Sequence, residues 1–132
     1  MPVRVIADIE PALASFAGQP NGGLMLLADV FLNINDSLIA DLASRHRLPA
    51  IGTMRNSAKA GGLLAYGNEE FVDNQYRQAA TYVDLILKGT KPGDLPVQTA
   101  DRYTFVVNLK TAKALGLTVP PPLLVGADEV ID

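Results

Sequence analysis

The stretch Ala60-Gly61-Gly62-Leu63-Leu64-Ala65-Tyr66-Gly67, running on into residues 68–89, decides how the chain is read. Leu63, Leu64 and Ala65 suit a short buried strand, and the paired glycines ahead of them permit a close backbone approach that a side chain would block. Gly67 is expected to turn the chain at positive φ, which makes Tyr66-Gly67 a hinge. Beyond it Phe71, Val72, Tyr76, Ala79, Ala80, Val83, Ile86 and Leu87 recur at three- and four-residue intervals, the stripe of an amphipathic helix. Asn68 suits its N-cap, Glu69 and Glu70 suit the positive end of its dipole, Lys88 the negative end, and Gly89 with Pro92 marks the stop.

Upstream, residues 3–6 read as a short strand, and Asp8 as the cap of a helix through Ala17 with Pro11 in its first turn. Residues 24–28 are an uninterrupted apolar run, as in a parallel strand covered on both faces, and Asp29 ends it. Asn35 or Asp36 caps the next helix, whose inner face is Leu38, Ile39, Leu42 and Ala43 and whose last turn holds Arg45, His46 and Arg47. Residues 48–53 form the next strand. Downstream, residues 90–100 connect to a β-branched and aromatic strand over 103–108, Asn108 caps a helix over 109–115, and Gly116 ends it. Pro120-Pro121-Pro122 leads into a last turn around Leu123 and Leu124, and residues 127–132 form a small edge strand. Strands alternating with helices imply an open, mostly parallel α/β sheet.

The composition narrows the function. A chain of 132 residues is normally one domain with a core of its own. With 48% apolar residues, 19% charged residues and a net charge of −3, it is neither disordered nor basic enough for a nucleic-acid partner. The absence of cysteine excludes disulfides, thiol nucleophiles and cysteine metal sites. The first six residues lack the sections of a signal peptide, so the polypeptide as written is expected in the cytoplasm. No P-loop and no glycine-x-glycine-x-x-glycine follows a strand, which leaves no cofactor to expect. The single His46 lies between two arginines at a helix end, where dipole pairing explains it better than acid–base chemistry or metal binding. No catalytic constellation assembles, and the chain reads as a binding protein rather than an enzyme.

Several blocks together resemble one family. They are Leu42-Ala43-Ser44-Arg45-His46-Arg47-Leu48-Pro49-Ala50-Ile51, then Ala60-Gly61-Gly62-Leu63 and Tyr66-Gly67, then Arg77-Gln78-Ala79-Ala80-Thr81-Tyr82-Val83 with Ile86-Leu87-Lys88-Gly89. They continue with Val107-Asn108-Leu109-Lys110-Thr111-Ala112-Lys113-Ala114-Leu115-Gly116-Leu117, Pro120-Pro121 and Ala127-Asp128-Glu129-Val130-Ile131. In this order and spacing the set resembles the solute-binding component of bacterial ABC importers, with a periplasmic-binding-protein type I fold. Such proteins are two-lobed and more than twice as long, and this chain is similar to their C-terminal part. The resemblance implies a single truncated lobe over residues 1–132, with helix 68–89 belonging to the absent other lobe. It also implies a small-molecule solute, an amino acid or aromatic acid, a membrane ABC permease as partner, and a periplasmic or extracytoplasmic setting for the family. An apolar helix stripe and open sheet edges without that lobe predict a homo-oligomer through residues 68–89.

Ligands of open α/β sheets lie beyond the carboxyl ends of the strands, here residues 29–33, 53–57 and Tyr66. Relatives often read proline-aspartate-proline-phenylalanine after the first of these strands, where this chain has Ala28-Asp29-Val30-Phe31, so Asp29 and Phe31 match. After the next strand phenylalanine-arginine-glutamate-phenylalanine becomes Met54-Arg55-Asn56-Ser57, which keeps the arginine. At the hinge serine-tyrosine-glycine becomes Ala65-Tyr66-Gly67, which keeps the aromatic. Arg55 can pair with a ligand carboxylate, Asp29 with an ammonium or hydroxyl, and Phe31 with Tyr66 can hold an aromatic or apolar group. The competing readings are an Asp29 that only caps a helix, a Phe31 that belongs to the core, and a non-binding oligomeric remnant or a sensor module built on the same fold.

Overall fold

Residues 3–6 do not form the expected strand: helix α1 already spans Ile6–Ala17 in the computed structural model, which describes residues 3–68, 70–97 and 103–132, with backbone alone for 70–75. Val5 is the N-cap, and Asp8 sits in the first turn, where one carboxylate oxygen accepts from the backbone N–H groups of Arg4 (2.9 Å) and Val5 (3.1 Å). Asp8 therefore fixes the start from inside the helix, and Pro11 falls past the first turn instead of in it. Those two bonds hold the Asp8 carboxyl below its usual range.

The chain continues through β1 (Leu24–Met25), α2 (Val30–Ile34), α3 (Asp36–Arg45), β2 (Ala50–Gly52), α4 (Arg55–Lys59) and β3 (Leu64–Gly67). After α5 (Glu70–Leu87) and a 3₁₀ turn at Pro92–Asp94 come β4 (Thr104–Asn108), α6 (Leu109–Leu115), α7 (Pro121–Val125) and β5 (Glu129–Ile131). β1, β2, β4 and β5 are shorter than the stretches read as strands while β3 is longer, and residues 29–33 and 53–57, beyond the expected strand ends, lead into the short helices α2 and α4. In α3 the buried residues are Ile39, Ala40, Leu42 and Ala43, so Ala40 takes the inward place expected of the exposed Leu38. Asn35 holds the N-cap position of α3, but its side chain donates to the Phe31 carbonyl instead of capping. Asn108 accepts from the Thr111 N–H at 2.9 Å and Gly116 closes α6 at φ 72°, both as expected.

The five strands lie in chain order, parallel except for the antiparallel β3–β4 pair. Register aligns Gly52, Ala65, Val106 and Glu129 in one row across β2 to β5. Residues in such a row share a face, and α4 packs on it: Ala58 joins Ala65 and Val106 in one buried cluster, with Ile131 against it. Ile9 and Leu13 of α1 meet Ile39, Leu42 and Ala43 of α3 over Leu48 and Ala50 in a second cluster. Each fully buried valine here, Val106 or Val107, contributes about 1.5–3 kcal/mol. The neighbouring row, Met25, Ile51 and Leu64, lines an apolar groove of about 300 Å³ whose edge residue Met25 is 72% exposed.

Tyr66 and Gly67 are not a corner. They extend β3 and pair with Phe105 and Thr104, and Gly67 is not among the positive-φ glycines, which are Gly61, Gly89 and Gly116. Gly67 is needed for space, because a Cβ there would overlap the Thr53 carbonyl. Gly62 also passes close to backbone, its Cβ position lying 2.8 Å from the Ser57 carbonyl oxygen, so the tight approach expected of the glycine pair falls on Gly62, while Gly61 takes a positive φ of 116°.

Contacts divide the chain into one unit running up to Gly67 and resuming at Thr104, and a second, Asn68–Tyr103. In the second, α5 ends as expected: Gly89, at φ 104°, donates to Ile86, and Thr90 donates to Leu85. Tyr82 ties α5 to the turn after it by donating to the Pro96 carbonyl, and Lys88 pairs with Asp84 at 2.8 Å. Of the predicted stripe, Tyr76, Val83, Ile86 and Leu87 are exposed. Glu69, the side chains of Glu70, Phe71 and Val72, and residues 98–102 lie outside the described residues.

Candidate functional site

Parallel strands β1, β2 and β3 end on the same side of the sheet, and each end carries one predicted residue or pair. After β1, Asp29 caps α2, its Oδ1 accepting from the Leu32 N–H at 3.1 Å. Its side chain therefore does the local work of a cap. Asp29 and Phe31 also line one cavity of about 540 Å³, together with Arg4, Met25, Leu32 and Ile39. Phe31 is partly buried and packs against the α1–α3 core, so it serves both core and cavity wall.

Arg55 and Tyr66 are not among the residues lining that cavity. Arg55 opens α4 just after β2, and its Nε donates to Glu129 Oε2 at the start of β5. The hydrogen bond and charge of Arg55 hold the Glu129 carboxyl below its usual range. A lowered carboxyl value means that this pair's contribution is present above the ordinary glutamate range and is lost as the pH falls through the folded-state value. Tyr66 closes on Phe105 edge to face, with centroids 6.2 Å apart and planes at 72°. Phe105 is in turn held by Asp128, which accepts from the Phe105 N–H at 2.8 Å through Oδ2 and donates its own N–H to the Phe105 carbonyl at 2.8 Å.

The rim of the sheet thus carries three groups of side chains: Asp29 with Phe31 beside a cavity at β1, Arg55 with Glu129 on the face covered by α4, and the Tyr66–Phe105 pair in the adjacent register row, on the other face. Glu129, Phe105 and Asp128 were not singled out as site residues from the sequence. They reach this rim because β4 runs back antiparallel to β3 and β5 lies parallel to β4, so β5 begins where β2 and β3 end.

The model of the family described as ABC transporter substrate binding protein matches residues 2–131. A tyrosine-binding protein of Clostridioides difficile (strain R20291) is 23% identical over 115 residues, 87% of this chain and 32% of that protein. A conserved domain protein from Vibrio cholerae superposes with a TM-score of 0.79 at 26% identity, covering 94% of this chain and 41% of that one. An ABC domain in complex with L-Trp from Streptococcus pneumonia superposes with a TM-score of 0.77 at 21% identity, covering 98% of this chain and 44% of that one. The chain spans about a third of the curated relative and less than half of these solved chains, corresponding to the C-terminal part of the family. By its sequence, from residue 2 to residue 131, and by its mostly parallel five-stranded sheet, this chain belongs to the ABC transporter substrate-binding protein family.

Proposed function

We propose that this chain supplies one lobe of a receptor that binds an amino acid or an aromatic carboxylate for ABC-type import and catalyses no reaction. The observation that carries this reading is the sheet rim, where Arg55 offers a cation for a carboxylate on one face of the strand ends and Tyr66 with Phe105 offers an aromatic pair on the other. Relatives that bind tyrosine and L-Trp support the solute class. Unit 68–103 belongs to the opposite lobe, with Tyr66-Gly67 at the crossing. The receptor to which this lobe belongs delivers its solute to a membrane ABC permease.

Thermal unfolding against a panel of aromatic and aliphatic amino acids and aromatic carboxylates tests this. A ligand at a hundredfold excess over its dissociation constant stabilises the folded chain by about 2.7 kcal/mol. The midpoint should rise for one solute class, and the rise should disappear in Arg55→Ala and shrink in Asp29→Ala. Cooperative unfolding with no shift across the panel would reject solute binding by this lobe and favour the non-binding remnant.

The exposed stripe of α5 supports self-association as part of the same reading. Val83 and Leu87 lie four residues apart on one helix face, and Leu87 is 82% exposed. Sedimentation velocity at tens of micromolar should show a dimer or larger species that Val83→Glu converts to monomer. A monomeric wild-type chain would end this part of the proposal.

A further inference from the structure

Resting on the solute-binding reading above, we propose that Glu129 is a specificity residue of the ligand site, receiving the ammonium group of an amino acid whose carboxylate lies on Arg55. Glu129 occupies the same register row as Gly52, Ala65 and Val106. Helix α4 lies over that row: Ser57 fills the space a Cβ on Gly52 would need, and the buried Asn108 side chain donates to the Ala58 carbonyl at 2.8 Å. The start of α4 is thereby aimed at the rim, and Arg55 reaches Glu129 there. The glutamate is fixed by its chain neighbour, since Asp128 is clamped to Phe105 through both its carboxylate and its N–H. Both partners therefore stand on regular elements whose positions are set by packing and hydrogen bonds. That is the preorganisation a recognition site needs.

The pair stays within reach of a ligand, with the Arg55 side chain 43% exposed and that of Glu129 27% exposed. A cation and an anion in contact match an amino-acid zwitterion, whose ammonium and carboxylate groups are bonded to the same carbon. A plain carboxylate would gain the attraction of Arg55 and meet repulsion from Glu129. An amino acid gains from both, so the pair selects between the two solute classes by charge pattern. Glu129 is an anion at neutral pH, as this role requires, because Arg55 and, more weakly, Lys59 favour its charged form. The competing account is that the pair only ties α4 to β5.

The experiment compares L-tyrosine with its des-amino analogue, 3-(4-hydroxyphenyl)propanoate, by calorimetry on the wild-type chain, Glu129→Gln and Glu129→Asp. The wild type should prefer the amino acid. Glu129→Gln should lose about tenfold or more in affinity for tyrosine, roughly what one charge-assisted hydrogen bond supplies. Its affinity for the des-amino analogue should hold or rise. Glu129→Asp, which keeps the charge on a shorter arm, should show the same selective loss in smaller measure, and it serves as the second probe if the glutamine variant folds poorly. Equal losses for both ligands, or none for either, would reduce the pair to a structural tie and overturn the assignment while leaving solute binding intact. Failure of the wild type to bind either ligand would overturn the assignment together with the reading it rests on.

Discussion

Gly67→Ala is expected to destabilise the chain by about 3 kcal/mol or more, lowering the unfolding midpoint by roughly 10 °C or preventing folding. The reason is steric, because the Gly67 backbone is not in a conformation reserved for glycine. A Cβ at this last residue of β3 would overlap the Thr53 carbonyl oxygen and lie 2.9 Å from its carbon. Both atoms are backbone, so no rotamer change relieves the clash. Thr53 lies between β2 and α4, so a shift large enough to admit a methyl group must move the start of α4 and Arg55 with it. Overpacking in well-filled cores costs 1–3 kcal/mol and occasionally more, and this site belongs at the upper end. Gly18→Ala is the control: its Cβ would meet nothing within 4 Å and its φ is −73°, so the change should be neutral or slightly stabilising. Denaturant unfolding of the two variants decides the matter. A Gly67→Ala chain as stable as Gly18→Ala would show that the β3 end and the β2–α4 loop are not packed as tightly as the geometry requires.

Gly67 also shows what the sequence could and could not reveal. Its position after a short apolar strand was legible, but the reason for glycine was read as a turn, because the approach of Thr53 arises only when β2 and β3 pair side by side. Features carried by neighbouring residues were read more safely. Asn108 and Gly116 bound α6 with their own side chain and backbone, and apolar spacing pointed to α3 and α5. Residues 3–6 misled because Val3, Val5 and Ile6 have strand preferences, while Asp8 captures the N–H groups that a helix start leaves open. The five-residue apolar run at 24–28 contains only a two-residue paired strand, because it sits at the sheet edge beside the three-residue β2. Asp29 could be placed at a strand end but not assigned between cap and cavity, and its geometry gives it both. Glu129 was beyond reach, because its place at the rim depends on two successive strand directions that no local pattern encodes.

Replacing Asn108 should produce the second large effect, about 2–3 kcal/mol for Asn108→Ala. This residue is 4% exposed and joins three elements. Its Oδ1 accepts from the Thr111 N–H at 2.9 Å to start α6, its Nδ2 donates to the Ala58 carbonyl of α4 at 2.8 Å, and its backbone N–H donates to Leu63 at 2.9 Å. Alanine removes the cap, worth about 0.5–2 kcal/mol, and a buried hydrogen bond worth about 1 kcal/mol. The Ala58 carbonyl still receives the Gly61 N–H at 3.2 Å, so most of the loss falls on the helix start. Asn108→Asp separates the two bonds. It keeps the acceptor facing Thr111 but sets a carboxylate oxygen against the Ala58 carbonyl, a buried repulsion that favours the protonated acid and raises its folded-state pKa. An acid whose folded pKa is raised destabilises the fold above that pKa and recovers stability as the pH falls through it, because the protonated oxygen can donate to Ala58. Denaturant unfolding of both variants from neutral pH to about pH 4 should therefore show Asn108→Asp gaining on Asn108→Ala in acid. Parallel pH profiles for the two would mean that the Nδ2 bond to α4 contributes nothing and that the cap alone holds this junction.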